Sequence, residues 1–175
     1  KQNSQAEDAA AVYKGIVAQW PDRYEVYLDM AGAYAYANKI GEALKVYADM
    51  EKRFGLNEEL ISHQFSTLME AEKYPEAQQL VQRAIAQYPS DAQYAAMLGD
   101  LYDQQGLHEQ ALEKYQQALA LDPGNSMLRI ALAEHYYGTG RMDDAYRELG
   151  EAFMDPELEV DAKMQVLIGF FEMTE

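Results

Sequence analysis

Ala9, Ala43, Ala77, Ala111 and Ala145 follow one another at an unbroken step of 34 residues. A fixed period of this length confines the chain to stacked copies of one supersecondary unit, because a unit so short cannot bury its own apolar face alone. Other columns keep the same step. Four residues beyond the alanines stand Tyr13, Tyr47, Val81, Tyr115 and Leu149, and seven beyond stand Ile16, Met50, Ala84, Ala118 and Ala152. Twelve beyond come Pro21, Gly55, Pro89, Pro123 and Glu157, the last directly after Pro156, so a helix-breaking element recurs near one place in each period. Upstream runs a column of Tyr34, Leu68, Tyr102, Tyr136 and Phe170. In arrays of this kind the ligand is set by a few groove side chains rather than by the fold.

Composition is consistent with stacked helices. The chain is 49% hydrophobic and shows no β-branched alternation that would suggest strands. No apolar run approaches the roughly 20 residues needed to cross a bilayer, so direct membrane insertion is not expected. The absence of cysteine removes disulfides, thiolate nucleophiles and cysteine metal sites, and leaves the compartment open. Local chemistry marks helix boundaries as well. Asp22 ahead of Glu25 has the spacing of a capping box, Asn57 and Asp91 are predicted N-caps, and Asp122-Pro123-Gly124-Asn125 is predicted to turn.

The clearest unit, residues 92–125, carries Leu98, Gly99, Tyr102, Gly106, Ala111, Tyr115, Ala118 and Pro123 in order. It resembles the tetratricopeptide repeat (TPR), although Ala95 stands where that family usually has a large residue. The resemblance implies an all-α fold, a right-handed superhelical solenoid of antiparallel helix pairs with about 34 residues per repeat. Gly99 and Ala111 match the small residues at the helix contact; Leu98, Tyr102 and Tyr115 match the sockets. In this register residues 24–57, 58–91, 92–125 and 126–159 are full repeats. Residues 1–23 read as the second helix of a preceding repeat and 160–175 as the first helix of a following one, as in a segment of a longer solenoid. The unit 58–91 fits least well, with Phe65 in a small-residue column and Gln64 in a socket. Residues 152–171 also resemble segments of bacterial cell-envelope TPR proteins, a lean toward the envelope or periplasm over the cytoplasm.

Thirty acidic against fourteen basic residues give a formal net charge of −16, which repels nucleic-acid phosphates and anionic membrane surfaces. No catalytic constellation emerges. His63, His108 and His135 form no i, i+4 pair, and His108-Glu109 and Glu134-His135 are neighbours that point about 100° apart on a helix, so no metal site or cofactor is expected. Ser62 and Ser66 near His63 lack a nucleophile elbow, and Asp143 with Asp144 reads as acids at a helix start.

What the resemblance implies instead is recognition, with the first helices of successive repeats lining a concave groove. Mapped onto this chain, the groove candidates are Asp29, Tyr36, Met69, Met97, Asp100, Asp103, Ile130, Glu134 and Tyr137. No Lys or Arg occupies a groove column, so the carboxylate-gripping mode of TPR cochaperones is disfavoured and a protein or peptide segment that is neutral, apolar or basic is preferred. Met97, Met127 and Ile130 could equally pack between helices, because groove and socket columns adjoin. The function expected is thus a non-catalytic scaffold; the alternatives are a sensory or organising segment of a larger enzyme or receptor, and a self-association module. For the last, Val166, Leu167, Phe170 and Phe171 are expected to be partly exposed and to support homo-oligomers through terminal helices.

Overall fold

The computed structural model describes residues 2–172, with side chains from 8 to 170, and every regular element among them is an α-helix. The ten are α1 (Gln2–Gln19), α2 (Tyr24–Tyr36), α3 (Ile40–Phe54), α4 (Glu58–Glu70), α5 (Tyr74–Gln87), α6 (Ala92–Gln104), α7 (His108–Leu121), α8 (Ser126–Gly138), α9 (Met142–Phe153) and α10 (Val160–Glu172). The even-numbered helices begin at residues 24, 58, 92, 126 and 160, and α3, α5, α7 and α9 begin at 40, 74, 108 and 142. Both series therefore keep the 34-residue step of the alanine column.

The turn inside each repeat is built the same way four times. Asn38, Glu72, Gly106 and Gly140 all have positive φ, at 58°, 55°, 71° and 77°. At each, the N–H of that residue bonds the carbonyl three residues back, and the next N–H bonds the carbonyl five residues back. Thus Gly106 N donates to Asp103 O at 2.9 Å and Leu107 N to Tyr102 O at 2.9 Å, with matching pairs at Asn38, Glu72 and Gly140. This is a Schellman turn, which satisfies orphan carbonyls at the helix end and reverses the chain within a few residues. Its outer acceptors are Tyr34, Leu68, Tyr102 and Tyr136, the residues of the upstream column.

N-termini repeat too. Asn57 accepts from Leu60 N at 2.9 Å, Asp91 from Gln93 N at 3.0 Å, and Asn125 from Met127 N and Leu128 N. At α2 the equivalent position is Arg23, which makes no side-chain cap, so the capping box expected from Asp22 does not form. The box spacing is shifted by one residue from the column the later repeats use.

The chain divides into two compact units, residues 1–84 and 85–175. In the first, α2 packs on α1 and α3 and meets α4; its core joins Tyr27, Met30, Ala31, Ala43, Val46, Tyr47, Met50 and Leu60. Phe54 meets Tyr24 and Tyr27 edge-on at 5.2 and 5.7 Å, and the Tyr47 hydroxyl bonds Thr67 Oγ1 at 3.1 Å, so a buried phenol keeps a partner. Gln64 Oε1 and Tyr27 Oη, in contrast, are buried without a hydrogen-bond partner, and each carries a cost. In the second unit α6 packs on α7 and α8 on α9, with α8 also against α6 and α7.

Ala43, Ala77, Ala111 and Ala145 are all fully buried. The close approach of α6 and α7 is visible at Gly99, where an added Cβ would lie 2.6 Å from Tyr115 Cε1. At the far end Phe170 is 6% exposed, stacked edge-on to Tyr137 at 5.2 Å, so it is a core residue rather than an exposed one. Leu167 is exposed, Val166 half-buried, and the Phe171 side chain lies outside the described residues.

The turn predicts a pair of opposite stability changes. Gly106→Ala forces a Cβ into the left-handed region and should cost about 1–2 kcal/mol. Glu72→Gly relieves the same strain, offset in part by glycine's greater unfolded-state entropy, and should gain up to about 1 kcal/mol. Urea melts of the two variants measure this; unchanged midpoints would show that the turn carries no conformational constraint.

Candidate functional site

In the second unit α6 and α8 stand side by side, and between them a cleft of about 320 Å³ opens. Its walls carry Asp100, Asp103 and Gln104 from α6, Ala131, Glu134 and Gly138 from α8, and His108 and Tyr115 from α7. A second hollow of about 650 Å³ shares Asp100 and is lined by Asp91, Gln93, Met97, Met127 and Leu128 among others. Neither lining contains lysine or arginine.

Electrostatics follow from this crowding of carboxylates. Tyr115 Oη donates to Asp100 Oδ1 at 2.7 Å. Desolvation in the cleft raises the Asp100 carboxyl above the usual range; the Tyr115 hydrogen bond opposes that rise and the charge of Asp103 adds to it. Glu134 is raised in the same direction, by desolvation first and then by Asp100. Both residues retain solvent exposure, so water screens them on the open side while the walls crowd them on the other. The Tyr115 phenol is pushed up by burial and by Asp100, and stays a neutral donor. A cation entering the cleft would relieve this like-charge repulsion.

Asp100, Asp103 and Glu134 are thus brought together as the sequence placed them. Ile130 and Tyr137 are not groove surface, and Met97, though largely buried, edges the second hollow. Met97 is 7%, Ile130 4% and Tyr137 9% exposed, and Ile130 and Tyr137 belong to the core cluster with Ala145, Leu149 and Phe170. For Ile130 and Tyr137 on α8 the physical reason is the packing already noted for adjoining columns: their positions adjoin the socket columns and pack into the core cluster. Met127, in contrast, is exposed. In the first unit Asp29 and Tyr36 are exposed on α2 and Met69 is half-buried on α4. None of these three lines that unit's hollow of about 480 Å³, where Lys14, Lys45 and Arg53 stand with Tyr27 and Tyr34.

Some acids outside the clefts are paired. Asp144 takes Arg141 Nε at 2.7 Å and Arg147 Nη1 at 2.8 Å, which hold its carboxyl below the usual range, so it acts as a helix-start acid in an ion-pair group. Glu148, buried, receives Arg129 Nη1 at 2.9 Å.

Sequence reasoning missed one constellation. His135 Nδ1 lies 2.7 Å from Asp103 Oδ2 and 2.9 Å from Oδ1, and His108 Nδ1 lies 3.0 Å from Asp103 Oδ1. The two imidazole rings are 6.2 Å apart. The signal available was positional: His135 follows Asp103 by 32 residues, two short of one period, which places the pair diagonally across neighbouring first helices.

Comparison with known proteins follows the same lines. Two tetratricopeptide repeat profiles match residues 64–126 and 102–156, which together span more than half of the chain. Among solved structures, the fold is similar to TTC0263, a thermophilic TPR protein of Thermus thermophilus, at a TM-score of 0.68 and 19% identity over 96% of this chain and 92% of that one. MamA (residues 41 to the end) from Desulfovibrio magneticus RS-1 aligns at a TM-score of 0.62 and 20% identity, over 85% of this chain and 84% of its own. YrrB, described as a TPR protein with an unusual peptide-binding site, aligns at 0.57 and 18%, over 93% and 83%. No curated protein matches by sequence. No described helix is long and apolar enough to cross a membrane.

Proposed function

Since the chain belongs to the tetratricopeptide repeat family, whose folds mediate protein–protein interaction, we propose that it is a non-catalytic scaffold that binds a neutral, apolar or basic protein segment in the acidic cleft of its second unit. The observation that carries this reading is the lining itself: Asp100, Asp103 and Glu134 converge with no lysine or arginine among the wall residues. A carboxylate ligand would meet only like charge there, whereas a lysine or arginine would find partners and an apolar neighbour could settle on Ala131 and the adjoining Met127 hollow. YrrB, similar in fold, is described as having a peptide-binding site, which supports a peptide as the class of ligand. The net charge of −16 argues against nucleic acid as the partner.

A peptide array, followed by kinetic titration of the best binder, tests the reading. Selected peptides should combine apolar anchors with Lys or Arg. The double variant Asp100→Asn, Glu134→Gln should slow association about tenfold at low salt and converge with the parent at high salt, since long-range steering is what it removes. Selection of acidic or C-terminal-carboxylate peptides, or association kinetics that ignore the double variant, would contradict it.

The surface of α10 supports a second reading, self-association. Val160, Met164, Leu167 and Ile168 recur at helical spacing and are 73%, 52%, 46% and 53% exposed, an apolar face suited to a second copy. Sedimentation should show a concentration-dependent dimer that Met164→Lys with Ile168→Asp shifts to monomer; a strict monomer at high concentration removes this reading.

A further inference from the structure

We propose that Asp103, His108 and His135 form a binding site for a divalent transition metal of the zinc class. One ligand atom from each of the three residues can be chosen so that all lie within 4.8 Å of one another. Imidazole nitrogen with carboxylate oxygen is the donor set that zinc, nickel and copper ions accept, whereas calcium requires six or more oxygens and magnesium a near-octahedral oxygen shell.

Three separate elements hold the donors in place. Asp103 lies in the last turn of α6 and its backbone carbonyl is fixed by the Gly106 N–H of the turn; His108 opens α7 just past that turn. His135 comes from α8, its side chain 3% exposed and enclosed between the Tyr115 and Tyr136 rings at 5.6 and 5.8 Å. Donors in a tetrahedral zinc site stand about 3.3 Å apart. The His135–Asp103 and His108–Asp103 contacts are already shorter than that, so binding replaces the bridging protons by the ion and separates the donors slightly. The larger remaining adjustment, between the two imidazoles, falls to His108, whose side chain is 54% exposed where that of His135 is enclosed.

The surroundings favour a cation independently of this geometry. Glu134 and Asp100 share the cleft, and no lysine or arginine lines it. Three protein donors leave a fourth position facing the open cleft, where water or a donor group of a bound molecule completes the shell. The site lies wholly within the second unit and does not depend on peptide binding.

The test uses the tag-free chain, stripped with chelator and titrated with Zn²⁺ alone, with Co²⁺ as a spectroscopic stand-in and Mg²⁺ as a control. One Zn²⁺ should bind per chain and raise the melting temperature, Co²⁺ should give the intense visible bands of a four-coordinate site, and Mg²⁺ should do neither. Losing a ligand exceeds the roughly 10–100-fold loss typical of outer-shell changes, so His108→Ala should weaken Zn²⁺ at least about 100-fold. Because His108 is half-exposed, the metal-free melting temperature of that variant should stay at the parent value. Asp103→Asn should weaken binding as well, and His63→Ala, which alters an exposed histidine of the first unit, should leave it unchanged. Absence of one-to-one binding, or equal affinity in the parent and His108→Ala, would overturn the proposal.

Discussion

The left-handed turn that joins the two helices of each repeat is the constraint on which the rest depends. With only three residues between α2 and α3, α6 and α7, or α8 and α9, the chain must reverse at once, and two backbone hydrogen bonds per turn fix how it does so. The paired helices then lie close enough that alanine is fully buried at residues 43, 77, 111 and 145, and at Gly99 even a methyl group would collide with Tyr115. Burial of Tyr47, Met50, Tyr115 and Leu149 along the second helices follows from that approach. The same turn carries His108 back onto Asp103, so one backbone device sets both the packing and part of the acidic cleft.

In the proposed mode of binding, charge rather than apolar burial selects the ligand of the cleft. The net charge of the chain is spread over many solvated carboxylates, some of them paired, as at Asp144 with Arg141 and Arg147. Asp100 and Glu134 differ because walls on one side exclude water while no cation stands opposite. Their raised carboxyls are the energetic record of that arrangement. A bound positive group lowers the cost, whereas a bound negative one raises it, and this asymmetry underlies both the proposed protein partner and the proposed metal.

Much of this was legible in the sequence because the period writes the core directly: each alanine column residue from 43 to 145 is buried, and Asn57 and Asp91 cap the helices they precede. Asp100, Asp103 and Glu134 were likewise recoverable from their columns. The difference between groove and core at Ile130 and Tyr137 was not, since adjoining columns differ by a modest rotation about the helix axis and only packing against Phe170 and its neighbours settles it. Nor was the histidine pair. His108 and His135 are inconspicuous in the linear sequence, and what unites them is a turn on one side and a neighbouring helix on the other. Arg23 shows the remaining gap: a repeat can drop its cap where the helix is already held by packing on both sides.

The central claim is that the acidic cleft between α6 and α8 is the working surface of the second unit. Amide shift mapping with a lysine-bearing amphipathic peptide tests it most directly. The account predicts that perturbations concentrate at Gln104, Ala131, Glu134, Gly138 and Thr139, which line that cleft. Perturbations clustered instead at Glu113, Gln117 and Tyr146, exposed on α7 and α9 and absent from the lining, would contradict it.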